Sequence, residues 1–159
     1  MTVTLRPITR DNLWAVVDLK LHPGQEAFVA ANVISIANAA VEPTFVPLGI
    51  YTGDELVGFA MYGQHPTTGA WWVIRLMIER EHQARGYGRA AMEAVIAMMA
   101  DRVGCDEIVT SFNPANAVAA GLYASLGFRP TGEIEDGEPL VLLRLADRRS
   151  DQSSQHGQP

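Results

Sequence analysis

The stretch that most constrains the fold runs from Trp71 to Ala90, WWVIRLMIEREHQARGYGRA. Its residues up to Ile78 are apolar and rich in β-branched and aromatic side chains, with Arg75 as the one interruption, and this predicts a buried strand. Two closely spaced glycines, Gly86 and Gly88, follow a charged connector and precede a long helical pattern. A strand, a glycine-bearing turn and a helix in this order predict a phosphate site, because the first helical turn has unpaired N–H groups and the positive end of the dipole.

The residues of this turn support an anion site. Gly86 and Gly88 have no side chain, so a ligand can approach the backbone closely. Arg85 and Arg89 bring positive charge to a helix end where the dipole alone favours acids, and this indicates a bound anion. The P-loop and dinucleotide-binding glycine motifs are both absent. An ordinary strand–helix turn is the alternative explanation.

Composition limits the class of protein. The chain has 159 residues with 48% hydrophobic content, which suffices for one domain with a real core. A net charge of −6 without a basic run argues against nucleic-acid binding. Cys105 is the single cysteine, so no disulfide can form within the chain and a cytoplasmic location fits. The N-terminal residues do not resemble a signal peptide, and no run reaches the roughly 18 apolar residues of a membrane span.

Hydrophobic periodicity predicts the element order βααβββαβαββ. Strands are predicted at residues 3–8, 45–51, 56–62, 71–78, 107–112, 128–132 and 140–145. The helices are predicted at residues 13–21, 26–40, 86–102 and 114–126. This order predicts an α/β (α+β) fold with a mixed, mostly antiparallel sheet of about seven strands and helices on both faces. Residues 1–145 are expected to form one domain, and the polar tail 146–159 is expected to be disordered.

A second motif lies on the last predicted helix, and two motifs together carry a family resemblance. The second motif is Asn116-x-x-Ala119-x-x-Leu122-Tyr123-x-x-Leu126-Gly127-Phe128, and the first is Gln83-x-x-Gly86-x-Gly88 directly after Leu76-Met77-Ile78. In this order they resemble the GNAT superfamily of N-acetyltransferases over about residues 3–145. The resemblance implies the GNAT fold, acetyl-CoA as cosubstrate in a splayed opening between the strands at 71–78 and 107–112, and a homodimer.

The resemblance also implies which residues bind and activate the cosubstrate. The backbone of Leu76, Met77 and Ile78 would pair with the pantetheine arm, and an N–H near Met77 would polarise the thioester carbonyl. The pyrophosphate would be held by the backbone N–H groups of Gln83, Ala84, Arg85, Gly86, Tyr87, Gly88 and Arg89. Asn116 would form a hydrogen bond with the cofactor arm, or would only cap its helix. Tyr123 would protonate the departing thiolate, or would only be a core tyrosine.

The acceptor is suggested by further segments that resemble bacterial spermine/spermidine (diamine) acetyltransferases. The segments are Gln25-x-x-Phe28-Val29-Ala30-x-Asn32-x-x-Ser35-x-Ala37, Val41-Glu42-Pro43, Val57-Gly58-Phe59-x-Met61-Tyr62-Gly63 and Trp72-x-x-Arg75-Leu76-Met77-Ile78. A polyamine needs carboxylates for its ammonium groups and aromatic faces for its methylenes. The substrate-binding candidates are Glu42, Trp72 and Arg75, followed by Asp54, Glu55, Glu79, Trp71 and Tyr62. Surface charge or core packing would also explain these side chains.

Three questions stay open in the sequence. Many family members carry a glutamate on the strand at residues 71–78, at the position where this chain has Trp72. No general base is therefore identified, and Glu42, Glu79 or a water relay could serve. The acceptor could be another amine, such as an antibiotic, an amino acid or a protein N-terminus, or the chain could be a non-catalytic acyl-CoA-binding module. No metal is expected, because His65, His82 and Cys105 lack metal-ligand spacing.

Overall fold

One mixed sheet of seven strands organises the computed structural model, which describes residues 2–155. The strands are β1 (Thr4–Pro7), β2 (Val46–Thr52), β3 (Glu55–Gln64), β4 (Trp71–Ile78), β5 (Glu107–Ser111), β6 (Arg129–Glu135) and β7 (Glu138–Arg144). Their order in the sheet is β1-β2-β3-β4-β5-β7-β6, and only the β4–β5 pair is parallel. The predicted mixed, mostly antiparallel sheet is therefore confirmed.

Helices cover both faces of the sheet, as predicted. They are α1 (Leu13–Val17), α2 (Asn32–Val41), α3 (Tyr87–Ala100), α4 (Ala117–Ser125) and α5 (Leu145–Gln155). On one face α1 and α2 pack over a core that includes Val16, Phe59 and Met77. On the other face α3 and α4 contribute Met92 and Tyr123 to a larger core. The buried residues of α3 recur at helical spacing, which is why this segment forms an amphipathic helix against the sheet.

The sheet opens between its parallel strands. β4 and β5 share one pair of facing residues, Trp72 and Val109, whereas β3 and β4 share seven pairs. The Thr110 hydroxyl donates to the Val73 carbonyl at 3.0 Å, which adds one side-chain link beside that pair. Further along β4, none of the strands within residues 2–155 pairs with the edge from Ile74 to Ile78 on the β5 side. The splay implied by the family resemblance is thus present.

A β-bulge in β4 lies next to this opening. Met61 of β3 faces Arg75 and Tyr62 faces Val73, so Ile74 is an extra residue on β4. Bulges change the direction of the side chains that follow, and they are common near active sites. The bulge changes the alternation along β4, so that Leu76 packs in the same core as Val73 and Met77 in the same core as Ile74. Arg75 lies between them, beside the opening of the sheet.

The second helix begins at Asn32, so the predicted start at Glu26 is wrong. Residues 23–28 form turns in which the N–H groups of Gln25 and Phe28 donate to carbonyl groups three residues earlier. Gly24 has a φ of +91°, a left-handed conformation that a helix does not contain. The apolar spacing suggested a helix because the side chains of this segment pack against the same core as α2, although its backbone does not continue the helix.

The prediction of a disordered tail is wrong for the residues that the structure describes, because residues 145–155 form α5. Leu145 is buried, and its N–H donates to the Asp106 carbonyl at 3.0 Å. The Arg148 guanidinium donates to the Leu126 carbonyl at 3.2 Å, which ties α5 to the end of α4. Polar composition concealed this helix because few of its residues dock onto the fold. Residues 156–159 lie outside the described part of the chain.

Candidate active site

A cavity of about 890 Å³ occupies the opening between β4 and β5, and we call it the donor cleft. One wall is the free edge of β4, and the opposite wall is α4 with the residues before it. The turn segment at residues 25–30 covers a third side. Of the residues predicted to bind the cosubstrate, those that line the cleft are Leu76, Met77, Ile78, Gln83, Ala84, Tyr87, Gly88, Arg89, Asn116 and Tyr123, whereas Arg85 and Gly86 do not.

The hydrogen-bond ladder shows which backbone groups of β4 face the cleft. The Glu79 N–H donates to the Val57 carbonyl at 2.9 Å, so residue 79 is directed to β3. Alternation along an antiparallel ladder then directs Met77 to β3 as well, and directs Leu76 and Ile78 to the cleft. Of the backbone N–H groups near Met77, those of Leu76 and Ile78 therefore face the cleft, whereas Met77 packs in the core beside α1 and α2.

The turn before α3 has a backbone suited to an anion. Ala84 has a φ of +59° and Gly86, the N-cap of α3, has a φ of +86°. Left-handed residues between right-handed ones direct successive N–H groups to one concave side, which binds anions. A left-handed alanine costs conformational energy and points to function. The turn therefore fits the pyrophosphate of acetyl-CoA, as the sequence predicts.

Gln83 holds this turn in place. Its side-chain amide donates to the Ile78 carbonyl at 3.0 Å at the end of β4. It also exchanges two hydrogen bonds with the Gln25 amide, at 2.9 and 3.0 Å. The Gln83 side chain thus joins the turn to β4 and to the segment that covers the cleft. Its backbone N–H donates to the Arg80 carbonyl at 3.4 Å, so this N–H already has a partner within the protein, unlike the predicted contact with a pyrophosphate.

The two arginines of the turn differ. Arg89 lines the cleft and is held by the Ser125 hydroxyl and by Glu93, whose carboxylate lies 3.6 Å away. Arg85 is exposed and lies outside the cleft lining. Arg89 is therefore the better placed cation for a phosphate, and Arg85 contributes at longer range.

The position of Asn116 is compatible with both roles that the sequence left open, a helix cap and a hydrogen bond to the cofactor arm. Its side-chain oxygen accepts the Ala119 N–H at 3.1 Å, so Asn116 is the N-cap of α4. The same side chain lines the cleft. The cap fixes the side-chain orientation, and the amide nitrogen has no hydrogen bond to the described residues, so it can donate to a ligand.

Tyr123 lies in the wall of the cleft between the rings of Phe112 and Phe128, with centroid distances of 6.1 and 5.6 Å. It is buried, and burial raises the pKa of Tyr123, an effect that the negative charge of Glu138 increases and a hydrogen bond with Thr110 opposes. The hydroxyl therefore stays protonated at neutral pH. A protonated donor in the cleft wall is what a general acid requires.

A smaller cavity of about 320 Å³ adjoins the donor cleft, and we call it the side cavity. Its lining consists of Phe45, His65, Pro66, Trp72, Ile74, Arg75, Ser111, Glu135, Asp136 and Glu138. Four of these residues, Ile74, Arg75, Ser111 and Glu138, also line the donor cleft. The two cavities therefore meet at one junction.

Charged side chains meet at this junction. The Ser111 hydroxyl donates to Glu138 Oε2 at 3.0 Å. Arg75 Nη1 donates to the Ile74 carbonyl at 2.7 Å, and Arg75 Nε is buried without a partner among the described residues. Burial lowers the pKa of Arg75, and the charge of Glu138 partly compensates. Arg75 thus has a carboxylate nearby that partly balances its charge in the pocket.

Not all predicted substrate residues come together. Trp72 and Arg75 line the side cavity, but Glu42, the C-cap of α2, lines neither cavity. The other proposed carboxylates have structural partners: Asp54 pairs with Arg6, Glu55 with His82, and Glu79 caps the turn at Arg80–His82. Trp71 and Tyr62 pack in the core, and the Tyr62 hydroxyl accepts hydrogen bonds from Arg102.

Sequence reasoning missed Ser111 and Glu138. Glu138 was placed in the turn between the last two strands, whereas it is the first residue of β7. No sequence motif contains either residue, since they reach the junction through the pairing of β5 with β7.

Other candidate chemistry is absent from the described residues. No group of three potential metal ligands is present among residues 2–155. Burial raises the pKa of the Cys105 thiol, and nearby Asp106 adds to the effect, so the thiol is no nucleophile at neutral pH. Within the same residues, no helix has the length and apolar character needed to cross a membrane.

Comparison with known proteins agrees with this geometry. The acetyltransferase (GNAT) family model matches residues 13–128, so the chain belongs to the GNAT family. A spermine/spermidine N(1)-acetyltransferase of Bacillus subtilis (strain 168) is 30% identical over 152 residues, which cover 91% of this chain and 100% of the relative. The family and its named relatives identify the chain as an N-acetyltransferase.

Solved structures share the fold at low identity. The aminoglycoside acetyltransferase AAC(6')-Ib in complex with coenzyme A has a TM-score of 0.78 and 16% identity, covering 95% of this chain and 99% of that one. The spermidine/spermine N-acetyltransferase SpeG of Vibrio cholerae has a TM-score of 0.70 and 14% identity, covering 94% and 99%. At these identities the likeness concerns the fold alone.

Proposed function

We propose that this N-acetyltransferase transfers the acetyl group of acetyl-CoA directly to a primary amine of a polyamine such as spermine or spermidine. The observation that carries the acceptor class is the likeness to the Bacillus subtilis spermine/spermidine enzyme, which spans that relative's whole length. The side cavity supports it, because three carboxylates and the Trp72 ring line a space beside the donor cleft. Carboxylates and an aromatic face suit a chain of ammonium groups and methylenes.

Acetyl-CoA fits the donor cleft by the chemistry of its lining. The free β4 edge offers backbone groups for an extended arm, and the turn before α3 offers N–H groups for a pyrophosphate. The CoA-bound structure of the fold neighbour AAC(6')-Ib supports the same cosubstrate. When bound there, acetyl-CoA would supply an activated acetyl group as a thioester.

The chain's own residues would then perform two tasks. The N–H groups of Leu76 and Ile78 face the cleft and would stabilise negative charge on the acetyl oxygen. Tyr123 holds its proton on Oη at neutral pH and would give it to the departing sulfur. A thiol with a pKa of about 8.5 needs little help, so this proton accelerates turnover without being indispensable.

The test is release of the CoA thiol from acetyl-CoA over a panel of spermine, spermidine, putrescine, aminoglycosides, amino acids and short peptides. Release with the polyamines at the highest kcat/KM is expected. Higher kcat/KM with another amine would discard the polyamine assignment and keep the acetyltransferase. Binding of CoA without release on any amine would favour a non-catalytic acyl-CoA-binding module. Isolation of an acetylated enzyme as an obligatory intermediate would contradict direct transfer.

Two further expectations come from the family resemblance. We propose a cytoplasmic location, because acetyl-CoA is the donor, and a homodimer. Light scattering combined with size exclusion would give the mass in solution, and a mass near 17.3 kDa would contradict the dimer.

A further inference from the structure

Glu138 lies where the two cavities meet. It is the first residue of β7, directly after the turn formed by Asp136 and Gly137, and it is half-buried. Two acids, Glu26 and Glu138, line the donor cleft. Glu26 is exposed and accepts a hydrogen bond from the Gly24 N–H at 3.3 Å on the outer segment. Glu138 is therefore the carboxylate of the donor cleft that also reaches the side cavity.

One oxygen of Glu138 is held and the other is available. Oε2 accepts the Ser111 hydroxyl at 3.0 Å, which fixes the carboxylate orientation. No hydrogen bond joins Oε1 to another of the residues 2–155, and no ion pair within 4.0 Å joins Glu138 to Arg75 in that range. Arg75 instead donates to the Ile74 carbonyl. A cationic ligand can thus approach Oε1 without displacing a partner.

The other acids of the side cavity are less suited. Glu135 accepts from His65 Nε2 at 3.1 Å, and His65 Nδ1 accepts the N–H groups of Thr67 and Thr68 at 3.2 and 3.3 Å. Glu135 is thus engaged at the far side of the cavity, and neither it nor the exposed Asp136 lines the donor cleft. The negative charge of Glu138, in contrast, reaches Tyr123 and raises its pKa. Glu138 therefore lies near the proposed acid.

We propose that Glu138 binds the ammonium group that reacts and takes its first proton. This inference rests on the proposed function, since it assigns a residue to that reaction. A carboxylate with a pKa of about 4.3 is a weak base toward an ammonium with a pKa of about 10.4 in water. The transfer goes forward because the attack on the acetyl carbon consumes the neutral amine.

The protons and electron pairs balance as follows. The amine enters as R–NH₃⁺ and gives one proton to Glu138 Oε1, which passes it to solvent. The nitrogen lone pair forms the C–N bond with the acetyl carbon, and the C–S bond breaks with its electron pair on sulfur. Tyr123 gives its proton to sulfur, and the second proton lost by nitrogen restores Tyr123. One proton is released in each turnover.

The test compares Glu138→Gln with the wild type, because glutamine keeps the size and can still accept the Ser111 hydrogen bond. At pH 7 we expect kcat/KM for spermidine to fall about 100-fold, within the usual range for general base catalysis. The deficit should shrink as pH rises toward about 10, because an amine that is already neutral needs no proton acceptor. Calorimetry should show weaker spermidine binding to the variant and unchanged CoA binding.

The control is Glu133→Gln, which removes an exposed glutamate of the same hairpin that lines neither cavity. It should match the wild type in both measurements. A deficit in Glu138→Gln that stays constant from pH 7 to 10, or unchanged spermidine affinity, would overturn the proposal. If the wild type prefers another amine, the same comparison with that amine decides. If it acetylates none, the proposed function fails, and amine affinity alone decides the role of Glu138.

Discussion

The proposed donor side and the proposed acceptor side of the site are built from different parts of the polypeptide. The donor side is mainly backbone: the β4 edge and the turn before α3, which together span residues 76–89. The acceptor side is made of side chains from β4, β5 and β7, namely Trp72, Arg75, Ser111 and Glu138. A ligand bound by backbone groups should still bind after most side-chain substitutions, except those that place a side chain where a glycine leaves space. Side-chain recognition changes with each residue, so acceptor preference can vary while the donor stays the same.

The largest effect is expected at Tyr123, in the wall of the donor cleft. Tyr123→Phe should lower kcat about 10²- to 10⁴-fold by removal of the proton donor. CoA affinity should stay unchanged, because phenylalanine keeps the packing against Phe112 and Phe128. Steady-state kinetics and CoA calorimetry check this prediction. A kcat within a few-fold of the wild type would reduce Tyr123 to a core tyrosine.

On the donor side, Gly88→Ala should separate binding from stability. A methyl group there would lie 3.9 Å from Ile78 Cγ1 and Leu122 Cδ2, which is ordinary contact, so the fold accepts it. It would stand in the cleft and should weaken CoA binding about tenfold, or ~1.4 kcal/mol. Because alanine favours helix over glycine, the free energy of unfolding should rise by up to about 1 kcal/mol.

The matched control for this change is Gly121→Ala in α4. A methyl group at Gly121 meets no atom within 4 Å, and Gly121 does not line the cleft. Urea unfolding should show similar stabilisation of both variants, and calorimetry should show weaker CoA binding for Gly88→Ala alone. Equal CoA affinity in the two variants would mean that the backbone at Gly88 does not approach the ligand.

On the acceptor side, Trp72→Leu should act on the amine alone. Loss of a cation–π contact should raise KM for spermidine about two- to five-fold. The KM for acetyl-CoA should not change, because Trp72 does not line the donor cleft. Trp14→Leu is the control, since Trp14 is 74% exposed and lines neither cavity. A rise in KM for acetyl-CoA in Trp72→Leu would show that the two sides are not separate.

The same contrast explains what could be predicted from the sequence. The donor side is contiguous, so glycine spacing after an apolar strand was enough to predict the turn that the structure has before α3. The position of Glu138 could not be predicted from the sequence, because only strand pairing and the opening of the sheet bring it close to Ser111 and Arg75. The prediction of a helix over residues 26–31 was wrong for a related reason. Helical spacing indicates which side chains face a core, but it does not determine the backbone conformation between them. Glu42 had a family pattern to support it, yet α2 ends before its side chain reaches either cavity.

The smallest effect is expected in the pH dependence of stability, and it tests whether the Tyr123 hydroxyl is as enclosed as its position requires. Burial raises the pKa of Tyr123 above its unfolded value of about 10. The neutral tyrosine is therefore favoured in the folded state, and its contribution is complete below pH 10 and declines as pH rises toward the folded pKa. The free energy of unfolding of the wild type should consequently decrease more steeply between pH 10 and 11 than that of Tyr123→Phe, as measured by urea unfolding. Parallel decreases in the two proteins would mean that the hydroxyl titrates as in water, and such a hydroxyl would not lie in the enclosed wall of the donor cleft.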